Sequence, residues 1–308
     1  MPLLQSPTNS AKIDLLMKQP PYILVVNGTK VRRPVFVLGA PHSGVDLVAR
    51  ALGRVPGFHL TSGQPSVLHA VYAFARRPSI AEERRSGAAT LVRDAFAEAW
   101  QLTPFTCPRC PDENVAARDA ARPCRHAGKA NRFGDASPDL LYSAAALRDA
   151  FDDALFVQII RDGRDVVADM LADERSLAWF RPGMANLDDE LPNPFFGIET
   201  EEERDEYPKL SLAAKSALRW RGAVRMAARL RGELGRERLL TLRYEDLPGG
   251  EVEAAERLSE FASARVSAVE LVRTGSAGIG SWRTRLSPQQ REEIRSTAHT
   301  ELSRLGYL

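Results

Sequence analysis

The stretch Val35–Leu52, VFVLGAPHSGVDLVARAL, constrains the fold more than any other part of this chain. Its β-branched run reads as a buried strand, Gly39 to Gly44 as a tight turn, and Val45–Leu52 as a helix that Pro56-Gly57 ends. A strand that passes through a glycine-bounded turn into a helix is the repeating unit of a parallel sheet covered by helices. It also aims backbone N–H groups at a helix N-terminus, a setting that favours an anion. Gly39 and Gly44 bracket four residues, as in a nucleotide-triphosphate loop, but the next pair is Val45-Asp46 instead of Lys-Ser/Thr. The lysine that reaches terminal phosphates and the hydroxyl that ligates magnesium are missing, which argues against an ordinary ATPase or kinase. What remains is backbone, from Pro41 through His42, Ser43, Gly44 and Val45 to Asp46.

The same grammar recurs. ALFVQII is a short buried strand leading through Arg161 and Arg164 into the helix Asp165–Leu177, and RLLTLRY is a third strand after the amphipathic helix Leu210–Leu234. This alternation predicts an α/β fold, a central parallel sheet flanked by helices. Asn27-Gly28 predicts a hairpin before it, and Ser287-Pro288 the N-cap and first position of a terminal helix. A length of 308 residues with 44% hydrophobic content suffices for a sizeable core. The formal net charge of +2 gives no reason to expect nucleic acid as a partner. No apolar run approaches the ~20 residues of a membrane span, and MPLLQSPTNSAKIDLLMKQPP lacks the parts of a secretion signal. The expectation is a cytoplasmic protein with a flexible tail over 1–20 and a single domain over 21–308. Residues 181–208 are acidic and rich in Pro, Asn and Gly, and read as a disordered loop or a lid.

All three cysteines fall in one segment, TCPRCPDENVAARDAARPCRH, within a stretch 104–134 that has no periodicity and reads as an insertion. Cys107, Cys110, Cys124 and His126 match the spacing of a structural Cys3His zinc site, and a metal would supply the order that the segment lacks in apolar residues. A surface loop of free thiols, or a redox pair at C-x-x-C, is the alternative.

Taken together, GAPHSGVDLV and VQIIRDGRDVVADML resemble the two nucleotide-binding motifs of the sulfotransferases that use 3′-phosphoadenosine 5′-phosphosulfate (PAPS). Those motifs look like GAPRSGTTLL and FIHLIRDGRDVVASML. Three further segments resemble the same family in the same order: FGDASPDLLYS, the pair Trp220 and YEDL, and GSAGIGSWRTRLSPQQREEI with LGYL at the end. The resemblance implies a P-loop-like α/β fold and transfer of a sulfuryl group to a hydroxyl or amine of a small-molecule, carbohydrate or carrier-bound acceptor. It implies that Gly39 and Pro41–Asp46 cradle the 5′-phosphosulfate, that Arg161 meets the 3′-phosphate, and that Trp282 and Arg283 lie against the nucleotide.

This chain departs from the family pattern at several of those positions. The loop cation is His42, the loop hydroxyls become Val45 and Asp46, and the serine that would help hold the 3′-phosphate becomes Asp169. The lysine of the GDKTP segment becomes Ala136, and the general base becomes Gln64, which accepts no proton at useful pH. His42, His69 and His59 are the nearby groups that could replace it. Two readings follow: a transferase with altered donor contacts, or a member that no longer uses PAPS and binds a ligand or partner in the old cleft. Under the second, the Asp46 carboxylate would fill the loop's anion site and Asp169 would pair with Arg161 or Arg164.

Overall fold

The computed structural model describes residues 23–83, 85–103, 107, 124, 127–185, 187–188, 190–247, 250–271 and 278–308; the tail over 1–20 lies outside them. The chain opens with the hairpin β1 (Val25–Val26) and β2 (Thr29–Lys30), turned by Asn27 and Gly28 at φ 49° and 78°. Positive φ at both central residues is the turn that matches strand twist, which is why Asn-Gly stands there. Five parallel strands follow: β3 (Val35–Gly39), β4 (Phe58–Thr61), β5 (Arg132–Asp135), β6 (Leu155–Ile160) and β7 (Leu239–Arg243). They lie side by side in the order β4-β5-β3-β6-β7, with Val35 opposite Leu155 and Gly39 opposite Ile159 at the centre. The α/β fold with a central parallel sheet flanked by helices is therefore the observed one.

Every residue of β6 is buried, as a strand covered on both faces requires. Alternation sends Phe36, Leu38 and Phe156 to one face and Val35, Val37, Val157 and Ile159 to the other. Helix α1 (Val45–Gly53) covers the second face with Leu47 and Val48. Helices α2 (Pro65–Arg76), α3 (Gly163–Met170) and α4 (Leu212–Arg238) cover the first, and α5 (Pro288–Arg304) packs on α4. A capping box at Ser287 and Gln290, with Pro288 in the first turn, starts α5 as the sequence anticipates. Among the described residues no helix is long and apolar enough to cross a membrane.

Strands β4 and β5 escape sequence reading because His59, Arg132 and Gly134 interrupt their short apolar runs. Their placement is nonetheless strict. The Trp100 indole donates to Gly134 O at 3.0 Å, and a Cβ on Gly134 would stand 2.5 Å from Val35 O. The last residues of the segment 104–134 supply a strand of the central sheet, so the expected insertion does not extend through them. Cys107 and Cys124 are buried in the apolar core, and Cys124 N donates to Leu102 O at 2.7 Å. Cys110 and His126 lie outside the described residues, and among those described no group of three His, Cys, Asp or Glu side chains could hold a metal. The zinc site expected from the spacing has no support here.

The described residues of the acidic segment 181–208 pack on the protein and are not a disordered loop. Phe195, Phe196 and Ile198 are fully buried, and Asn193 Oδ1 accepts from the N–H groups of Phe195 and Phe196. Its carboxylates face the arginines of α4: Glu203 meets Arg221 at 2.6 Å and Glu199 meets Arg225 at 2.6 Å. Where this segment crosses α4, the two backbones touch. A Cβ on Gly222 would lie 2.2 Å from Pro194 O, and one on Gly197 (φ 71°) 1.8 Å from Leu218 O. Gly222→Ala should therefore cost about 1–3 kcal/mol in urea unfolding. Gly232→Ala on the same helix, where a Cβ meets nothing within 4 Å, should be neutral or stabilise by up to ~1 kcal/mol. Equal effects would refute the close crossing.

Candidate donor cleft

The carboxyl ends of β3 and β6, adjacent in the sheet, place the glycine loop beside Arg161. A crevice of this kind, outside the strand ends, is where open α/β sheets hold ligands. The loop itself is backbone-lined. Gly44 (φ 97°) caps α1 with no side-chain cap, and a Cβ there would strike the Tyr244 ring at 2.5 Å. Ser43 is buried and turned inward, its hydroxyl donating to Ala40 O at 2.6 Å. Pro41 and Val45 are half-buried at the rim. Gly39 passes close to the same loop, since a Cβ there would meet Ser43 Oγ at 2.3 Å.

Asp46 does not fill the loop. Burying Leu47, Val48, Ala51 and Leu52 turns the opposite side of α1, with Asp46 and Arg50, to solvent. The Asp46 carboxylate makes no hydrogen bond or ion pair among the described residues. The helix register, set by its apolar stripe, overrides the attraction of a carboxylate to the loop's N–H groups.

Arg161 is the centre of the cleft and is 3% exposed. Its Nη1 donates to His42 O at 2.6 Å and to Asp169 Oδ2 at 2.7 Å, and its Nη2 to Gly278 O at 3.1 Å. The guanidinium lies over the Tyr244 ring, 4.6 Å from the centroid. One side chain thereby joins the glycine loop, α3, the 278–282 loop and the residue after β7. Asp169 also accepts from Arg285. Burial opposes ionisation of Asp169, but the hydrogen bonds and charges of Arg285 and Arg161 outweigh it and hold the carboxyl below its ordinary range. The pairing anticipated for Asp169 is thus present.

The 278–282 loop is held by Asp165, which is 1% exposed. It accepts from Gly280 N at 2.7 Å, Trp282 N at 2.9 Å and the Ser281 hydroxyl at 3.1 Å. Trp282 lies against Arg164 and Arg283, whose guanidinium carbons are 4.1 and 4.7 Å from its ring centroid. Arg164 pairs with Asp162 at 2.7 Å, and Trp220 Nε1 donates to Arg161 O at 3.2 Å. Tyr244, the first residue of the YEDL element, completes the cleft with Asp165 and Arg285, the last two of which do not stand out as ligand residues in the sequence. The signal available is the repeated Asp at 162, 165 and 169, one helical face's worth of counter-charge.

His42 sits at the loop's tip with φ 60°, its side chain partly exposed. Its Nε2 lies 3.3 Å from Asp173 Oδ2 and 3.1 Å from Ser176 Oγ. Gln64 caps α2 through its backbone only, and His69, one turn on, is exposed. His59 belongs elsewhere. It lines a cavity of about 410 Å³ with Gly53, Gly57 and Cys107 at the amino end of β4, and burial lowers its pKa to about 4. Buried Asp135, at the carboxyl end of β5, is raised to about 6 by burial despite hydrogen bonds from Thr61 and Ser137.

The sign of the Asp169 effect is testable. A carboxyl held low in the folded state stabilises the fold above the unfolded-state pKa, and that stability disappears as pH falls through the lowered value. Asp169→Asn should cost roughly 1–3 kcal/mol at neutral pH and less in acid, so the two unfolding curves converge on acidification. Asp135 acts oppositely in both proteins, its stabilisation fading as pH rises from 3.8 towards 6, and so cancels in the difference. A constant gap between the curves would rule out an ionised Asp169 pair.

A model of the sulfotransferase family matches residues 34–267 of the chain. No curated protein matches it. Among solved structures, a sulfotransferase from Alicyclobacillus acidocaldarius is similar at 17% identity and a TM-score of 0.45, over 89% of this chain and 94% of that one. The sulfotransferase domain of the Synechococcus PCC 7002 olefin synthase is similar at 15% identity and a TM-score of 0.43, over 85% and 87%. A mouse sulfotransferase complexed with PAP is similar at 14% identity and a TM-score of 0.39, over 88% and 85%.

Proposed function

The chain belongs to the sulfotransferase family, and from that premise we propose that it transfers a sulfuryl group from a nucleotide donor to a hydroxyl or amine of a small-molecule or carrier-bound acceptor. The observation that carries this reading is Arg161, whose guanidinium joins the glycine loop, Tyr244 and Gly278 in one cleft. PAPS, when bound, supplies the activated sulfuryl group.

The two halves of that donor fit unequally. The loop from Gly39 to Val45 leads into a helix N-terminus that no side chain caps, as a 5′-phosphosulfate would require, and the exposed Arg283 and the Trp282 ring lie beside α3. The 3′-phosphate does not fit beside Arg161 as arranged, because Asp169 already pairs with it. Two unit charges ~4 Å apart repel by about 4 kcal/mol at an effective dielectric of 20. A 3′-phosphate therefore has to displace Asp169 onto Arg285. His42 is the best-equipped candidate for the proton transfer that an acceptor hydroxyl needs. It has a carboxylate at 3.3 Å and a hydroxyl at 3.1 Å, whereas Gln64 offers no basic group.

The Asp169–Arg161 pair also favours a second reading, a family member that binds a ligand in this cleft without PAPS. Calorimetry with adenosine 3′,5′-bisphosphate separates them. Under the transferase reading the wild type binds in the micromolar range, and Asp169→Ser binds at least ~10-fold more tightly. No binding by the wild type at millimolar ligand would reject it in favour of the second.

A further inference from the structure

The cavity of about 410 Å³ that His59 lines opens at the amino ends of β4 and β5, at the other end of the sheet from the glycine loop. Its walls are Gly53 and Arg54 at the end of α1, the run from Gly57 to Leu60 into β4, and Lys129 and Ala130 before β5, with Leu102 and Cys107. Phe58, Leu102, Cys107 and Ala130 are buried and form a largely apolar floor. Gly53, Arg54 and Lys129 are exposed and mark the mouth. A concave volume of this size, apolar within and carrying a few polar groups, is the form that small-molecule sites take.

Charge selects the ligand. No carboxylate stands among the described residues of the lining. Arg54 has Glu270 at 3.9 Å, but Arg50 shares that carboxylate at 3.8 Å, and Lys129 makes no ion pair among the described residues. A further cation lies against the floor: the Arg132 guanidinium is 5.6 Å from the Phe58 ring centroid. Its N–H groups go to the carbonyls of Ala262 and Ser263, which satisfy them without cancelling the charge. The carbonyl end of α1 disfavours an anion only over its last turn, where Arg50 and Arg54 offset it. His59 adds a polar atom and no charge, because burial keeps its ring neutral at neutral pH. Its Nε2 is buried without a hydrogen-bond partner among the described residues, an uncommon state for an interior nitrogen. An apolar floor under an excess of positive charge suits a ligand that is apolar at one end and anionic at the other.

We propose that this cavity binds a small organic anion, its apolar body seated on Phe58 and Leu102 and its single anionic head held at the mouth by Lys129 and Arg54. The site stands apart from the glycine-loop cleft and does not rest on the transferase reading. 2-Naphthoate is the probe, and 2-naphthamide is its neutral counterpart of the same shape. In calorimetry on the full chain, naphthoate should bind about tenfold more tightly than naphthamide. Lys129→Glu, at an exposed position, should weaken naphthoate about tenfold with the melting temperature unchanged, and Lys129→Arg should keep the wild-type affinity. Equal binding of the two probes, undiminished naphthoate binding by Lys129→Glu, or no saturable binding by the wild type at millimolar naphthoate would overturn the site. Adenosine 3′,5′-bisphosphate, added at saturation, locates the probe. Unchanged naphthoate affinity in its presence supports a separate cavity, whereas competition between the two would place naphthoate in the donor cleft and overturn the proposal. If the bisphosphate fails to bind while naphthoate binding and its dependence on Lys129 persist, the transferase reading is rejected and the cavity site stands.

Discussion

The buried guanidinium of Arg161 is the contact on which the glycine-loop cleft of this protein depends. Four segments distant in sequence meet at one planar cation: the glycine loop, α3, the 278–282 loop and Tyr244 after β7. A buried charge is tolerated only when paired and hydrogen-bonded, so these segments cannot drift apart without exposing it unpaired. The parallel sheet supplies the fixed point, because β6 is fully buried and delivers Arg161 at its end in register with β3.

Around that cation, α3 works as a rod of counter-charges. Asp162 caps it and pairs with Arg164, Asp165 collects the N–H groups of the closing loop, and Asp169 bridges Arg161 and Arg285. Residues three and four apart share a helix face, so one short segment can serve all three tasks. The consequence for function is an internal competition. Any anion brought to Arg161 contends with a carboxylate already there, and its affinity reports the difference between the two.

On the same face of the sheet, packed against α3, α4 carries two adjacent residues with different duties. Trp220 closes over Gly163 and bonds Arg161 O, while Arg219 points among Asp139, Tyr142 and Phe195. The helix is held by close crossing at Gly197 and Gly222 and by ion pairs with Glu199 and Glu203. Those ion pairs explain why an acidic, turn-rich stretch packs: its carboxylates face arginines and its Phe195, Phe196 and Ile198 face the core.

The sequence by itself determined the strand–turn–helix units at β3 and β6, the Asn-Gly hairpin and the terminal cap, and it offered Arg161 or Arg164 as a partner for Asp169, between which the structure selects Arg161. These rest on local rules, hydrophobic period, turn chemistry and complementary charge within eight residues, that need no long-range information. Only the tertiary structure decided the rest. Strands β4 and β5 exist because the sheet recruits them, with Gly134 chosen for backbone approach and not for propensity. Asp46 faces solvent because the apolar stripe of α1 sets its rotation. Asp165, Arg285 and Arg219 acquire their roles from residues tens of positions away, and a chain read in one dimension carries no measure of that distance.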